Sequence, residues 1–243
     1  MLYVELDGKP IAPILRSGEG HITTMTLTAG DALVDYLEHH GLGRLARRFA
    51  STGILDVIAA AAPGLDDLLV LGRIKALERD QNVDLIVVDG PAAGHALTFL
   101  RVAHGIRGGI RTGLIANQAA EVSEFLGDHR RCNVVMVTLA ATTPVTETVD
   151  TALTIEDEIG VALGPIIVNR QLAPDDAEGE PCTSPVLRAS LEFYRSRRAM
   201  QIESIATLHE LLPLPRIDLP EVDQGDVIDV LARTIAEVNE ATS

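Results

Sequence analysis

The sequence contains no tryptophan, and only 3% of its residues are aromatic. Its hydrophobic content is nevertheless 47% and consists mainly of Ala, Val, Leu and Ile. Such a composition excludes disorder across the whole chain and suits Val/Ile-rich parallel strands flanked by Ala/Leu-rich helices. At 243 residues the chain is long enough for one sizeable core, so we expect a single domain over residues 1–243.

Cysteine is also scarce, with Cys132 and Cys182 far apart in the chain. Two cysteines without paired spacing argue against a disulfide framework and against a four-thiolate metal site. Cys132 begins an apolar run, and we expect it to be buried as a small hydrophobic residue.

Basic residues are too few for a nucleic-acid-binding protein. There are 20 Lys and Arg against 35 Asp and Glu, a net charge of −15, and such a surface repels phosphate backbones. We interpret the small basic group Arg44, Arg47 and Arg48 as a solvated helix end. The N-terminus does not resemble a signal peptide, and no apolar run approaches the roughly 18 residues that span a bilayer. The sequence therefore predicts a cytoplasmic protein with no nucleic-acid partner.

A phosphate-binding loop is missing as well. The pattern G-x-x-x-x-G-K-[ST] has no match; at the Gly8-Lys9 pair, Tyr3 stands where the first glycine is needed and Pro10 where Ser or Thr is needed. The glycines of residues 105–113 match no dinucleotide-binding fingerprint, and we expect them in a loop.

The pattern that is present alternates strands and helices. We predict strands at 2–7, 22–28 (an edge strand), 83–88, 133–139 and 163–168. We predict helices from Asp31 onward, over 54–79 with a break at 62–64, and over 144–159, 185–212 and 227–238, with Pro144 in the first position of its helix. Strand, helix and strand in close succession are typical of a parallel sheet. Residues 171–183 are acidic and contain proline and glycine, which predicts a surface loop.

The segment most informative about function follows the strand at 83–88. Asp89 ends this apolar strand, which predicts a carboxylate at the carboxyl edge of a parallel sheet, where open α/β sheets bind ligands. Such a carboxylate can hold Mg²⁺ or its waters, and Gly90 and Gly94 leave room for a phosphate or an attacking water. The alternative is an ordinary turn capped by Asp89.

Residues 86–100, IVVDGPAAGHALTFL, resemble the switch II segment of the ArsA family of anion-transporting ATPases and of the related ATPase that targets tail-anchored membrane proteins. Asp89, Gly94, His95 and Leu97 keep the family's order, although Asp and Pro stand closer together here. Three later stretches agree with the family: 137–152, 164–170 and 212–222. Residues 62–74 are most similar to its actinobacterial, two-protein branch, and the resemblance covers most of residues 1–235.

The resemblance implies a P-loop NTPase-like α/β fold of the SIMIBI type, a parallel sheet flanked by helices that lacks its first strand and phosphate loop. It implies ATP and Mg²⁺ as ligands. Asp89 would be the switch II carboxylate near Mg²⁺ and water, His95 would stabilise the switch, and Gly94 would approach the nucleotide. Asp7 would orient attacking water, although the family's Asp-Pro-Ala-His run is replaced here. The alternative for His95 is a helix-start residue satisfied by backbone.

The resemblance also implies an adenine pocket. Asn169 would read adenine through its amide, which both donates and accepts hydrogen bonds, and a proline loop around Leu214, Pro215 and Arg216 would close over the base. The alternative for Asn169 is a turn residue that ends a strand.

Three hypotheses on function follow. The first is an ArsA-like ATPase, truncated at its start, that acts as a homodimer or as a heterodimer with a paralogous ATPase on an oxyanion pump or a membrane-protein client. The second is a non-hydrolysing pseudo-ATPase that pairs with a complete paralogue. The third, an unrelated Rossmann-type oxidoreductase, is disfavoured by the missing glycine fingerprint.

Overall fold

A computed structural model describes the chain over most of its length. The described residues are 1–6, 22–44, 46, 64–79, 83–109, 112–175, 184–222 and 226–242. The chain divides into two compact units: Met1–Cys132 with Glu158–Gly160, and Asn133–Asp157 with Val161–Ser243. Each unit is described by itself below, and the assignment of all residues to one domain stays a prediction.

The first unit contains a three-stranded parallel sheet. Its strands are β1 (Leu2–Glu5), β2 (Thr23–Thr26) and β3 (Ile86–Asp89), in the order β2-β1-β3. In the pairing of β1 with β3, Tyr3 lies opposite Val87 and Glu5 opposite Asp89. Because directly paired residues of neighbouring strands point to the same side of a sheet, these four side chains share one face.

Four helices of the first unit are described: α1 (Ala29–His39), α2 (Leu65–Leu77), α3 (Ala93–Gly109) and α4 (Leu114–Gly127). Helix α2 packs against α1, α3 and α4, and α3 packs against α4. Leu68, Ala103 and Val122 have no exposed surface, so the core of this unit lies between these helices.

The second unit contains the parallel sheet β4 (Asn133–Leu139), β5 (Ala162–Gln171) and β6 (Arg216–Pro220), in that order. Its helices are α5 (Thr142–Thr154), α6 (Pro185–Leu211) and α7 (Val227–Thr242). A π-helical turn, Ile155–Ile159, follows α5, and its first three residues belong to this unit. The core cluster of the unit consists of Ala140, Val145, Val149, Ala152, Ile166, Val168, Leu208 and Leu212.

Two parallel sheets flanked by helices confirm the predicted α/β class. Strand β4 has the predicted bounds, α6 begins at Pro185 as expected, and β2 lies at an edge of its sheet within the described residues. Helix α7 confirms the predicted C-terminal helix.

Two helix starts were predicted wrongly. Helix α1 begins at Ala29, because Thr28 caps it by accepting the N–H of Asp31 at 3.1 Å. It ends at His39. Helix α5 begins at Thr142, which places Pro144 at its third position, where the missing N–H has no intrahelical acceptor in any case.

Two expected loops contain regular structure. The glycines of 105–109 lie in α3, where burial of Leu100 and Ala103 outweighs the weak helix propensity of glycine. The proline segment 212–220 ends in β6. Within the described sheet β6 is an edge strand, which tolerates a proline at its end.

Several predictions fall wholly or partly outside the described residues. They concern Asp7, Cys182, the helical stretch over 54–63 and most of the loop 171–183, of which residues 172–175 are described and have no regular structure. Cys132 is half-buried, and burial raises the pKa of its thiol, which keeps it protonated and a weak nucleophile.

No helix in the described part of the chain is long and apolar enough to cross a membrane.

Candidate functional site

Asp89 lies at the carboxyl end of β3, with its side chain exposed. The hydroxyl of Tyr3 on β1 donates a hydrogen bond to its Oδ2 at 2.9 Å. Burial, this hydrogen bond and the negative charges of Asp89 and Glu5 raise the pKa of Tyr3 to about 12. Tyr3 is therefore a hydrogen-bond donor throughout the physiological pH range and fixes one oxygen of the carboxylate.

Glu5 is a second carboxylate at this edge of the sheet. It lies directly opposite Asp89 and is only 5% exposed. Its Oε1 is buried and has no hydrogen-bond partner among the described residues. A buried carboxyl oxygen without a hydrogen-bond donor is unfavourable, so Glu5 is an unusual residue for a strand end. The sequence reasoning missed it and Tyr3, because only the pairing of strands about 80 residues apart brings them to Asp89.

The turn and helix after β3 carry the other switch-like residues. His95 stands in the first turn of α3 and its backbone N–H donates to the carbonyl of Ala92 at 2.8 Å, while its side chain is exposed. A methyl group added at Gly90 or Gly94 would meet no described atom within 4 Å. The backbone at both glycines is therefore open to a ligand from the side of the missing methyl group.

A cleft of about 180 Å³ adjoins this edge, lined in part by Leu27, Asp67, Pro91 and Phe99. The pKa of Asp67 at the start of α2 is raised, chiefly by burial and then by the neighbouring Asp66, while the charge of His95 acts in the opposite direction. The cleft thus combines apolar walls with carboxylates, as small-molecule sites commonly do.

Asn169 lies near the carboxyl end of β5 in the second unit. Its Oδ1 accepts the backbone N–H of Arg170 at 2.9 Å, and Arg170 has a left-handed φ of 57°. Within the described ranges the NH₂ group of Asn169 has no protein partner. The side-chain oxygen of Asn169 thus stabilises the turn, as the alternative interpretation requires. Its NH₂ group remains available to donate hydrogen bonds to a ligand.

The three residues expected to close over adenine have contacts within the second unit. Leu214 packs against the core cluster, and the carbonyl of Pro215 accepts the N–H of Ile166 at 2.8 Å. The guanidinium of Arg216 donates to both carboxylate oxygens of Asp218, at 2.7 and 2.9 Å. Arg216 would therefore already be engaged in an ion pair with Asp218 when a nucleotide binds.

The predicted site residues thus fall into two groups. Asp89, Gly94 and His95 lie in the first unit, while Asn169 and the segment 214–216 lie in the second. Asp7 lies outside the described residues.

No protein-family model matches the chain. The chain is 28% identical over 239 residues to the ATPase BagA of Mycobacterium tuberculosis (strain ATCC 25618 / H37Rv), which covers 85% of this chain and 69% of that protein. An ATPase of Mycobacterium bovis, provisionally so named, has the same identity and coverage. A provisionally named arsenical pump-driving ATPase of Halobacterium salinarum is 23% identical over 182 residues, which covers 68% of this chain and 26% of that protein.

These relatives support an ArsA-like ATPase family. The same family was suggested by the order of the segments around Asp89, Pro144, Asn169 and Pro215.

Proposed function

We propose that this chain is the nucleotide-binding part of an ArsA-like ATPase that binds ATP with Mg²⁺ and couples nucleotide binding and hydrolysis to the transport or targeting of a client. The observation that carries the proposal is Asp89, a carboxylate at the carboxyl edge of a parallel sheet, oriented by Tyr3 and followed by two glycines with open backbone. The names of the mycobacterial relatives support it.

The residues present fit Mg²⁺. This ion binds through one or two protein carboxylates and completes its shell with water and phosphate oxygens. Asp89 has one oxygen engaged by Tyr3, and Glu5 opposite it has a buried oxygen that lacks a donor. When bound, the ion would neutralise the charge that develops on the phosphates.

The chain's own residues then have distinct roles in the proposal. Asp89 holds the ion or its waters, and His95 stabilises the segment that follows. Asp7 orients the attacking water. Gly94 provides backbone close to the phosphates.

The second unit would bind the base. Asn169 donates from its NH₂ group to adenine, and Leu214, Pro215 and Arg216 lie beside the base. Because Arg216 forms an ion pair with Asp218, its charge is already balanced. We therefore expect Arg216 to help position the base more than to add positive charge to the site.

Hydrolysis needs a phosphate-binding loop, and no Walker A pattern occurs in this sequence. We propose that the full-length protein supplies a further strand with that loop, and the sheet of the first unit supports this. Among the described residues, β3 is paired only with β1. Val87 on β3 is 39% exposed, and Leu85 just before the strand is 55% exposed. Parallel strands are ordinarily buried among neighbours.

The alternative is a non-hydrolysing subunit that pairs with a complete paralogue. Reading the genomic DNA upstream of the codon for Met1 separates the two: an in-frame GKGGVGKT-like run supports the additional strand, and an immediate stop codon contradicts it. In either case we propose a cytoplasmic protein that forms a homodimer or a heterodimer with a paralogous ATPase and acts on a membrane-protein client, without nucleic acid.

Nucleotide binding is tested by titrating the protein with a fluorescent ATP analogue in the presence of Mg²⁺. We expect Asn169→Ala to weaken binding about fivefold to tenfold, the value of one hydrogen bond of about 1–1.4 kcal/mol. Asn117→Ala, at an exposed position of α4, is the matched control and should bind as the unaltered protein does. Equal binding by both variants would contradict the role of Asn169, and no binding by the upstream-extended protein would overturn the proposed function.

A further inference from the structure

Two carboxylates meet on one face of the first sheet. Glu5 and Asp89 are direct partners in the parallel register of β1 and β3, so their side chains leave the sheet on the same side and next to each other. Both stand at the carboxyl ends of their strands. Two carboxylates in this arrangement repel each other, and a cation bound by both would relieve that repulsion.

The burial of Glu5 makes the need for a cation stronger. Glu5 is 5% exposed, and its Oε1 is shielded from solvent without a hydrogen-bond donor among the residues that the structure describes. The ion pairs in that part of the chain involve other carboxylates, so neither Glu5 nor Asp89 is neutralised by a described Lys or Arg. This oxygen is therefore available as a cation ligand, on a residue whose direct strand partner is a second carboxylate.

The hydrogen bond from Tyr3 leaves one oxygen of Asp89 available to a cation. The hydroxyl of Tyr3 binds Oδ2 of Asp89, which fixes the rotation of the carboxylate and leaves Oδ1 without a described partner. Oxygen ligands favour hard cations such as Mg²⁺ and Mn²⁺, whereas imidazole and thiolate favour softer ones. No group of three His, Cys, Asp or Glu side chains suited to a metal occurs in the described ranges, and a two-carboxylate Mg²⁺ site completed by waters needs no third.

We propose that Glu5 and Asp89 together bind one hard divalent cation, with Tyr3 as the residue that orients Asp89. The proposal deepens the proposed function and rests on it for the phosphate that would complete the coordination. It adds Glu5 as a ligand and Tyr3 as a positioning residue to a site that sequence reasoning assigned to Asp89 alone. The binding of the bare cation does not require nucleotide, so it can be measured separately.

Tyr3 allows cation binding at this site to be detected by luminescence. The chain has no tryptophan and three tyrosines, one of which touches Asp89. Tb³⁺, an oxygen-seeking substitute for hard divalent ions, emits light when a nearby excited tyrosine transfers energy to it. Bound between Glu5 and Asp89, it should be sensitised by Tyr3. Addition of Mn²⁺ or Mg²⁺ should displace it and quench the emission.

Variants assign the signal to residues. We expect Glu5→Gln and Asp89→Asn each to weaken Mn²⁺ binding, measured by electron paramagnetic resonance of the free ion, by at least about tenfold. Glu38→Gln, at an exposed carboxylate near the end of α1, is the control and should change it less than about twofold. Tyr3→Phe should remove most of the tyrosine-sensitised Tb³⁺ emission while Mn²⁺ still binds, because Tyr3 orients the ligand and is not one itself.

Thermal unfolding provides the second measurement. Mn²⁺ should raise the Tm of the unaltered protein more than that of Glu5→Gln. Without metal, Glu5→Gln should melt no lower than the unaltered protein, because the amide has nearly the same shape and Oε1 of Glu5 has no described hydrogen-bond donor to lose. The proposal is overturned if the unaltered protein binds no Mn²⁺ in the millimolar range, or if Glu5→Gln binds it as tightly as Glu38→Gln does. Loss of ATP-analogue binding with intact Mn²⁺ binding would instead count against the proposed function alone.

Discussion

The hydroxyl of Tyr3 lies 2.9 Å from Oδ2 of Asp89, on the strand next to it and 86 positions away in sequence. This pair ties the start of the chain to the carboxylate on which the proposed site depends. It also has a consequence for stability at alkaline pH.

We expect Tyr3 to make the protein sensitive to base. Its pKa rises from 10.0 to about 12 on folding, so its stabilising contribution is complete below pH 10 and is lost as pH rises through 12. Urea unfolding at several pH values within this window should show the unaltered protein losing more free energy of unfolding than Tyr3→Phe. Tyr194→Phe is the control, since the hydroxyl of Tyr194 donates to the neutral carbonyl of Ala173 at 2.8 Å. Parallel loss in the unaltered protein and Tyr3→Phe would contradict this assignment.

The Tyr3–Asp89 pair also shows how far the sequence could predict the site. The apolar strand that ends at Asp89 has a local pattern, so its place at the carboxyl edge of a parallel sheet could be predicted. Glu5 has no such signature, because the burial of one acid in a short strand depends on strands and helices distant in sequence. Register between β1 and β3 is set by tertiary packing, and no pattern within either strand contains it.

The same distinction between local patterns and tertiary packing applies to the fold. Strand β4 and the start of α6 at Pro185 could be predicted because an apolar run and an N1 proline are local signals. The start of α1 was misplaced because either Thr28 or Asp31 is a good cap by type, and only the hydrogen bond to Thr28 Oγ1 decides between them. The glycines of α3 looked like a loop, since propensity alone does not include the burial of Leu100.

An acid-sensitive ion pair joins Glu78 and Arg131. The guanidinium donates to both carboxylate oxygens, with Nε 2.7 Å from Oε1, and this hydrogen bonding lowers the pKa of Glu78. A lowered folded-state pKa gives stability that is present above the ordinary pKa of glutamate, about 4.3, and is lost as pH falls through the lower value.

We expect Glu78→Gln to lower the free energy of unfolding by less than about 1 kcal/mol at neutral pH, because both side chains are about one-third exposed. The difference from the unaltered protein should shrink as pH falls from 6 to 3 in urea titrations. A difference that stays constant over this range would show that packing, and not charge, is responsible.

Lys75 and Glu121 form an ion pair in which the two partners differ in burial. The side chain of Lys75 is 11% exposed and that of Glu121 is 56% exposed, and the hydrogen bond from Lys75 lowers the pKa of Glu121. Glu121→Gln leaves a buried ammonium without its counter-charge, and we expect a loss of about 1–3 kcal/mol. Lys75→Met should lose less, because Glu121 regains water and a methionine fills the space. Guanidinium unfolding of both variants measures the order, and a larger loss for Lys75→Met would contradict the role of burial.

Alanine substitutions at two glycines should change the free energy of unfolding in opposite directions. Gly64, which precedes α2, has a left-handed φ of 82°, and an added methyl carbon would lie 2.7 Å from Cγ2 of Val102. We expect Gly64→Ala to destabilise the protein by about 1–3 kcal/mol, from backbone strain and overpacking. Gly105 lies inside α3, where a methyl group would meet no described atom within 4 Å. Gly105→Ala should stabilise the protein by about 0.5–1 kcal/mol through the better helix propensity of alanine. Urea unfolding of the two variants tests both signs together, and a stabilised Gly64→Ala would show that the left-handed turn before α2 is absent in solution.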